Sequence, residues 1–126
     1  MPESQTIEWK ELWKDEYLAW LCGFANCTGG TLVLGKTDEG EIIGVSNAQK
    51  LLADLPNKIR DALGIVVEIL LIQKNGKDLI EIKVPHYPVP ISCKGNYYLR
   101  SGATNQRLSG HALESFILKK RGVNWD

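Results

Sequence analysis

The sequence predicts an α+β fold, with a mixed, mainly antiparallel sheet and about three helices packed on it. Three observations predict it. Short apolar, β-branched runs are joined by hairpin-type turns at Asp38-Glu39-Gly40, Asn75-Gly76 and Lys94-Gly95-Asn96. Three longer stretches repeat apolar residues at helical spacing. The 126 residues, 44% hydrophobic and 24% charged, fit one globular domain spanning 1–126 with a core of its own.

In order, Ile7 to Lys10 alternates apolar and charged residues and is expected to be a strand. Trp13, Tyr17, Trp20, Leu21 and Phe24 recur at helical spacing, so a helix is expected over about 13–27, ended by Gly29-Gly30. Thr31 to Gly35 reads as a strand and Ile42 to Val45 as its returning partner, a hairpin around Gly40. Residues 47–63 read as a helix with Leu52, Leu55, Ile59 and Leu63 on one face, capped by Ser46 or Asn47. Pro56 inside it predicts a kink or two short helices.

Ile65 to Gln73 and Leu79 to Val84 form the next hairpin across Asn75-Gly76. Pro85, Pro88 and Pro90 then carry the chain irregularly to short strands at Val89 to Cys93 and Tyr97 to Arg100. Ser109 is placed to cap a last helix over Gly110 to Lys120, and Lys119-Lys120-Arg121 complement its dipole.

The formal net charge is zero, which gives no overall field toward nucleic acid or membrane. The zero hides a gradient. Glu3, Glu8, Glu11, Asp15 and Glu16 outweigh Lys10 and Lys14 at the start, whereas Lys94, Arg100, Arg107, Lys119, Lys120 and Arg121 outweigh Glu114 and Asp126 at the end. Such asymmetry marks either a nucleic-acid face or ordinary solvated surface.

Cys22, Cys27 and Cys93 are an odd set without paired spacing, which argues against structural zinc and suits reduced thiols in a cytoplasmic setting. Neither a signal peptide nor a bilayer-spanning segment is expected, and hence no membrane partner.

Gly29, Gly30 and Gly35 lead from a helix into a strand, the reverse of a phosphate-binding loop, so ATP is not an expected cofactor. Asn26 can cap the first helix or hold a neighbouring loop, with capping the expected role. Glu3, Glu8 and Asp38 lie at the ends of neighbouring elements. They are either surface acids or a converging set able to hold Mg²⁺ or Mn²⁺ for phosphodiester cleavage. Arg100, at the end of an aromatic strand, either clamps phosphate or pairs with a carboxylate such as Glu8. Tyr97 and Tyr98 point to opposite faces, so at most one can stack on a base. Lys94, Arg107 and Lys119 to Arg121 would extend a phosphate track. His86 and His111 have no nucleophile suggested beside them.

In combination, Glu3-Ser4, Glu8-Trp9-Lys10, Phe24-Ala25-Asn26, Gly29-Gly30, Leu32, Gly35, Asp38, Gly40, Tyr98, Arg100, Gly102 and Thr104 resemble the pattern of the Schlafen Alba-type DNA-binding domain family, over nearly the whole chain. The resemblance implies an Alba-like α+β domain that binds nucleic acid, DNA more than RNA. It further implies the N-terminal part of a longer bacterial protein, described as a transcriptional regulator or as helicase-related, whose C-terminal domain would be a partner. Under that reading Lys10, Asn26, Lys94, Tyr98, Arg100, Thr104, Arg107, Lys119, Lys120 and Arg121 bind nucleic acid and no cofactor is needed.

The alternative is a metal-dependent ribonuclease, because Glu3, Glu8 and Asp38 match the acidic places of the RNA-cleaving animal Schlafen proteins. Thr37 stands where relatives often carry another aspartate, and the zinc-binding residues of those nucleases are absent. Those enzymes join two lobes, so a homodimer would have to supply the second. A third reading is a structural or oligomerisation module with Trp9, Trp13 and Trp125 at an interface.

Overall fold

The computed structural model describes residues 4–122. Seven strands and three helices follow one another as β1 (Ile7–Lys10), α1 (Leu18–Asn26), β2 (Gly30–Leu34), α2 (Ala48–Leu63), β3 (Glu68–Lys74), β4 (Lys77–Val84), β5 (Ser92–Cys93), β6 (Asn96–Ser101), β7 (Thr104–Arg107) and α3 (Gly110–Lys120). A four-stranded sheet has the order β1-β2-β4-β3, and a separate three-stranded sheet has the order β5-β6-β7. Among the described residues only β1 and β2 run parallel, and every other strand pairing is antiparallel. The class is therefore α+β, as the sequence predicts.

The core forms where α1 and α2 cover one face of the larger sheet. Leu32 and Leu34 of β2 and Ile80, Ile82 and Val84 of β4 point there, against Leu21 and Phe24 of α1 and Leu51, Leu55 and Ile59 of α2. α1 has no charged residue, and Leu18 and Leu21 through Asn26 are all buried. It packs against the larger sheet on one side and β6 on the other. A helix enclosed this way must be apolar around its whole circumference rather than along one stripe. Burial of Phe24 and Leu21 contributes about 1.5–3 kcal/mol each.

Several elements depart from expectation. The first helix is shorter than 13–27, because Asp15–Tyr17 is a separate 3-10 turn in which Trp13 Nε1–H donates to Asp15 (2.8 Å). The expected Ile42 to Val45 strand does not form. β2 is a central strand with β1 on one edge and β4 on the other, so no edge remains for a hairpin partner. What persists is an isolated bridge between Lys36 and Ile42, with Ile43 and Gly44 N–H both donating to Gly35 O.

α2 is continuous through Pro56, whose ring sits on the exposed side. Ser109 and Asn47 occupy the N-cap positions without side-chain capping bonds. β5 is only two residues long, and β7 is a strand the sequence reading lacks.

Gly29 shows why the α1–β2 link needs glycine. Its φ is +83°, its N–H donates to Phe24 O at 2.9 Å, and a Cβ there would lie 2.7 Å from Val84 O. Among the described residues no helix is long and apolar enough to cross a membrane.

Candidate nucleic-acid interface

Residues 23–35 and 97–104, each marked by glycine, meet, and the contact is a buried polar junction. Arg100, near the end of β6, is 4% exposed and stands against α1. Its Nη1 is 3.2 Å from Glu8 Oε1 on β1, its Nε donates to Gln5 O (3.3 Å), and its Nη2 donates to Ser4 O. The guanidinium lies over the rings of Trp20 (5.2 Å) and Phe24 (4.8 Å), one turn apart on α1. Lys10 completes the group: Nζ is 3.3 Å from Glu8 Oε2 and 4.5 Å from the Trp20 ring centre. Glu8, 5% exposed, is thus held between two cations.

Of the two sequence readings of Arg100, the geometry has the carboxylate partner. A guanidinium already bonded to Glu8 and two carbonyls, and flanked by two aromatic faces, has little left for an incoming phosphate.

Asn26 corrects a second expectation. It is a staple rather than a helix cap. Its Nδ2 donates to Ile91 O (2.8 Å) and Tyr98 O (2.9 Å), and its Oδ1 accepts from Ile91 N–H (2.8 Å). Those bonds tie the end of α1 to the approach to β5 and to β6. Cys27 Sγ–H reaches Arg100 O (3.5 Å) from the next residue. Tyr98 packs half-buried on the core, and Tyr97 packs against Phe116 of α3 with ring centres 6.2 Å apart.

This junction carries the turn between β6 and β7, whose residues Ser101 to Thr104 are all exposed. Gln5 supports it from below. Its Oε1 accepts from Gly102 N–H (2.9 Å), its Nε2 donates to Arg100 O (3.4 Å), and Thr104 Oγ1–H closes the turn on Ser101 O (2.7 Å). Arg107 follows at the end of β7, exposed. Lys119 and Arg121 are exposed at the end of α3, but Lys120 is partly withdrawn: its ammonium donates to Tyr87 O (2.6 Å), and burial pulls its pKa below the usual lysine value. Lys94, in the β5–β6 turn at φ +51°, is exposed beside Asp15 and Glu16. His86 is a structural contact, its Nδ1 against Cys27 O.

Glu3 and Trp125 lie outside the described residues. Asp38 is exposed on the loop beyond β2. Among the described residues no group of three or more His, Cys, Asp or Glu is placed to hold a metal ion. Glu8, already neutralised by Arg100 and Lys10, offers a divalent cation little. Trp9 is buried under the Gly40 loop, and Trp13 is half-buried, bonded to Asp15 and edge-on to Tyr17.

Sequence reasoning missed Trp20, Gln5 and Asn105, which form the inner wall of the junction. The Trp20/Phe24 spacing was a readable signal for a cation seat; nothing local marks Gln5 or Asn105.

A family model for the Schlafen AlbA_2 domain matches residues 3–109. The chain belongs to the Schlafen AlbA_2 family. Among solved structures it is similar to the DIP2311 protein of Corynebacterium diphtheriae (TM-score 0.65, 19% identity), covering 83% of this chain but only 26% of that one. It is also similar to the N-terminal domain of a protein from Nitrosomonas europaea described as RecG-related, of ATP-dependent DNA helicase type (TM-score 0.59, 27% identity, 88% of both chains). The AlbA_2 chain thus spans about a quarter of the first of these structures and most of the second. No curated protein matches it.

Proposed function

We propose that this AlbA_2 domain binds nucleic acid, DNA in preference to RNA, as the N-terminal module of a longer cytoplasmic bacterial protein of transcription-regulating or helicase-related type. The family supports the reading, as does the helicase-related description of the Nitrosomonas relative. The observation that carries it is the exposed Ser101–Thr104 turn with Arg107, held on the Arg100–Glu8 junction. A turn anchored so firmly presents backbone and cation at little cost in ordering.

In this reading Arg107, Thr104, Lys119, Arg121 and Lys94 make the phosphate contacts, with Lys120 at the rim. Arg100, Asn26, Tyr98 and Lys10 position the surface from within. Phosphate contacts of this kind give affinity without reading sequence. No observation favours the ribonuclease over this reading, and the buried Trp9 weighs against a tryptophan-mediated interface.

The test is a fluorescence titration with duplex DNA, single-stranded DNA and RNA across a salt series. Binding should weaken linearly on a log–log plot, and Arg107→Ala or Arg121→Ala should each lower the slope by about 1. No binding to any of the three at low salt overturns the proposal.

A further inference from the structure

We infer that β3 pairs edge to edge with β3 of a second copy of this chain. The pairing is antiparallel about a two-fold axis at Leu71, so that Glu68 of each copy faces Lys74 of the other.

β3 is the end strand of the larger sheet, and among the described residues nothing pairs with its outer side. It is seven residues long, in unbroken register with β4, without proline, glycine or bulge. Ile69, Leu70, Leu71 and Ile72 are all half-exposed. A long, regular, apolar edge is a template for another strand unless something blunts it, and here only the terminal charges Glu68 and Lys74 do.

The register follows from the turn. Asn75 (φ +53°) and Gly76 (φ +72°) make a two-residue hairpin, whose closing pair Lys74–Lys77 is hydrogen-bonded. Residues 68, 70, 72 and 74 therefore bond to β4, and 69, 71 and 73 turn their N–H and C=O outward. A second β3 with its axis on Leu71 bonds Leu71 to its own copy and Ile69 to Gln73. Leu70 then faces Ile72, and Glu68 faces Lys74, in the closely spaced non-hydrogen-bonded pairs. Shifting the axis by one outward residue sets a charge against an apolar side chain instead.

Charge within the chain points the same way. The cross-strand neighbour of Glu68 is Lys83, an opposite charge, but that of Lys74 is Lys77, a like charge, and Lys77 donates its ammonium to Ile42 O. Lys74 and Glu68 are exposed, and among the described residues neither has an ion pair. Like charges directly opposite are unfavourable in one copy, and a second copy supplies the missing acid.

Sedimentation equilibrium of the whole chain tests this. The wild type should reach twice the mass of one chain. Lys74→Glu should weaken the dimer about tenfold, and Glu68→Lys/Lys74→Glu should restore it. Lys74→Glu places an acid opposite Lys77, so the monomer should be no less stable to urea, which separates the interface from a folding defect. Gln73→Pro removes an outward N–H and leaves the β4 ladder intact, and should also split the dimer. A wild type that stays monomeric at high micromolar concentration overturns the inference, as does a dimer that neither Lys74→Glu nor Gln73→Pro weakens.

Discussion

Arg100 and Glu8, 92 residues apart in sequence, meet at 3.2 Å with both side chains almost fully buried. The pair joins β1 to the end of β6, and with it the two sheets. Its charges are unevenly shared: Glu8 has a second cation in Lys10 at 3.3 Å, and among the described residues the only carboxylate ion-paired with Arg100 is Glu8. Removing one member of a buried pair leaves an uncompensated charge, which costs more than the intact pair contributes.

Glu8→Gln should therefore be the more damaging change. It leaves a buried guanidinium without its counter-ion and should lower unfolding free energy by about 3–5 kcal/mol. Arg100→Met leaves Glu8 its partner Lys10 and fills the space beside Trp20 and Phe24 with an apolar chain, so its cost should be smaller, about 1–3 kcal/mol. Urea unfolding measures both. Equal losses would mean that Lys10 does not share the carboxylate.

Asn26→Asp keeps the shape of the staple and reverses its chemistry. The amide N–H groups now donated to Ile91 O and Tyr98 O become carboxylate oxygen facing two carbonyls. The unsatisfied, repelled groups should cost about 3 kcal/mol or more at neutral pH. Lowering the pH to protonate the new acid should recover part of that loss, and a variant equally unstable at both pH values would show that repulsion is not the cause.

The thiols carry a pH signature. Burial pushes Cys22 up to about 12 from the usual 9.0, and burial raises Cys93 as well. In the unfolded chain both ionise near the usual value. The folded state therefore holds more protons between those limits, and stability falls as pH rises through the window. For Cys22 the loss approaches about 4 kcal/mol by pH 12. Cys22→Ala should flatten the alkaline limb of a stability–pH profile. At pH 8 a thiol reagent should label half-exposed Cys27 quickly, and Cys22 and Cys93 only as fast as the chain opens.

What was legible in the sequence follows the range of the forces. β1 and α3 have the bounds that local periodicity indicates, because each is set by the spacing of apolar residues that are near neighbours in the sequence. The Ile42–Val45 strand failed because hairpin signals are local, whereas the edges of β2 are filled by β1 and by β4, about fifty residues away. β7 was missed because Thr-Asn-Gln-Arg has no apolar alternation, and its pairing is imposed by the turn at Ser101–Thr104. At the site, residue types pointed to Arg100 and Glu8 as a possible pair. The burial that decides between pair and clamp comes from Trp20 and Phe24 arriving from another element.

Gly23 and Asn105 supply the last expected outcome. Gly23 lies in α1 where glycine is unfavourable for the helix itself, yet a Cβ there would overlap Asn105 Oδ1. Asn105 Nδ2 donates to Ala19 O (3.0 Å), and its Oδ1 is buried without a hydrogen-bond partner among the described residues. Gly23→Ala should gain about 1 kcal/mol of helix propensity and lose more by expelling the Asn105 side chain. A net destabilisation of about 1–3 kcal/mol is expected by urea unfolding. Gly23→Ala combined with Asn105→Gly removes the obstructing side chain and should recover part of the loss. If the double variant is no more stable than Gly23→Ala alone, the contact with Asn105 is not what keeps glycine at this position.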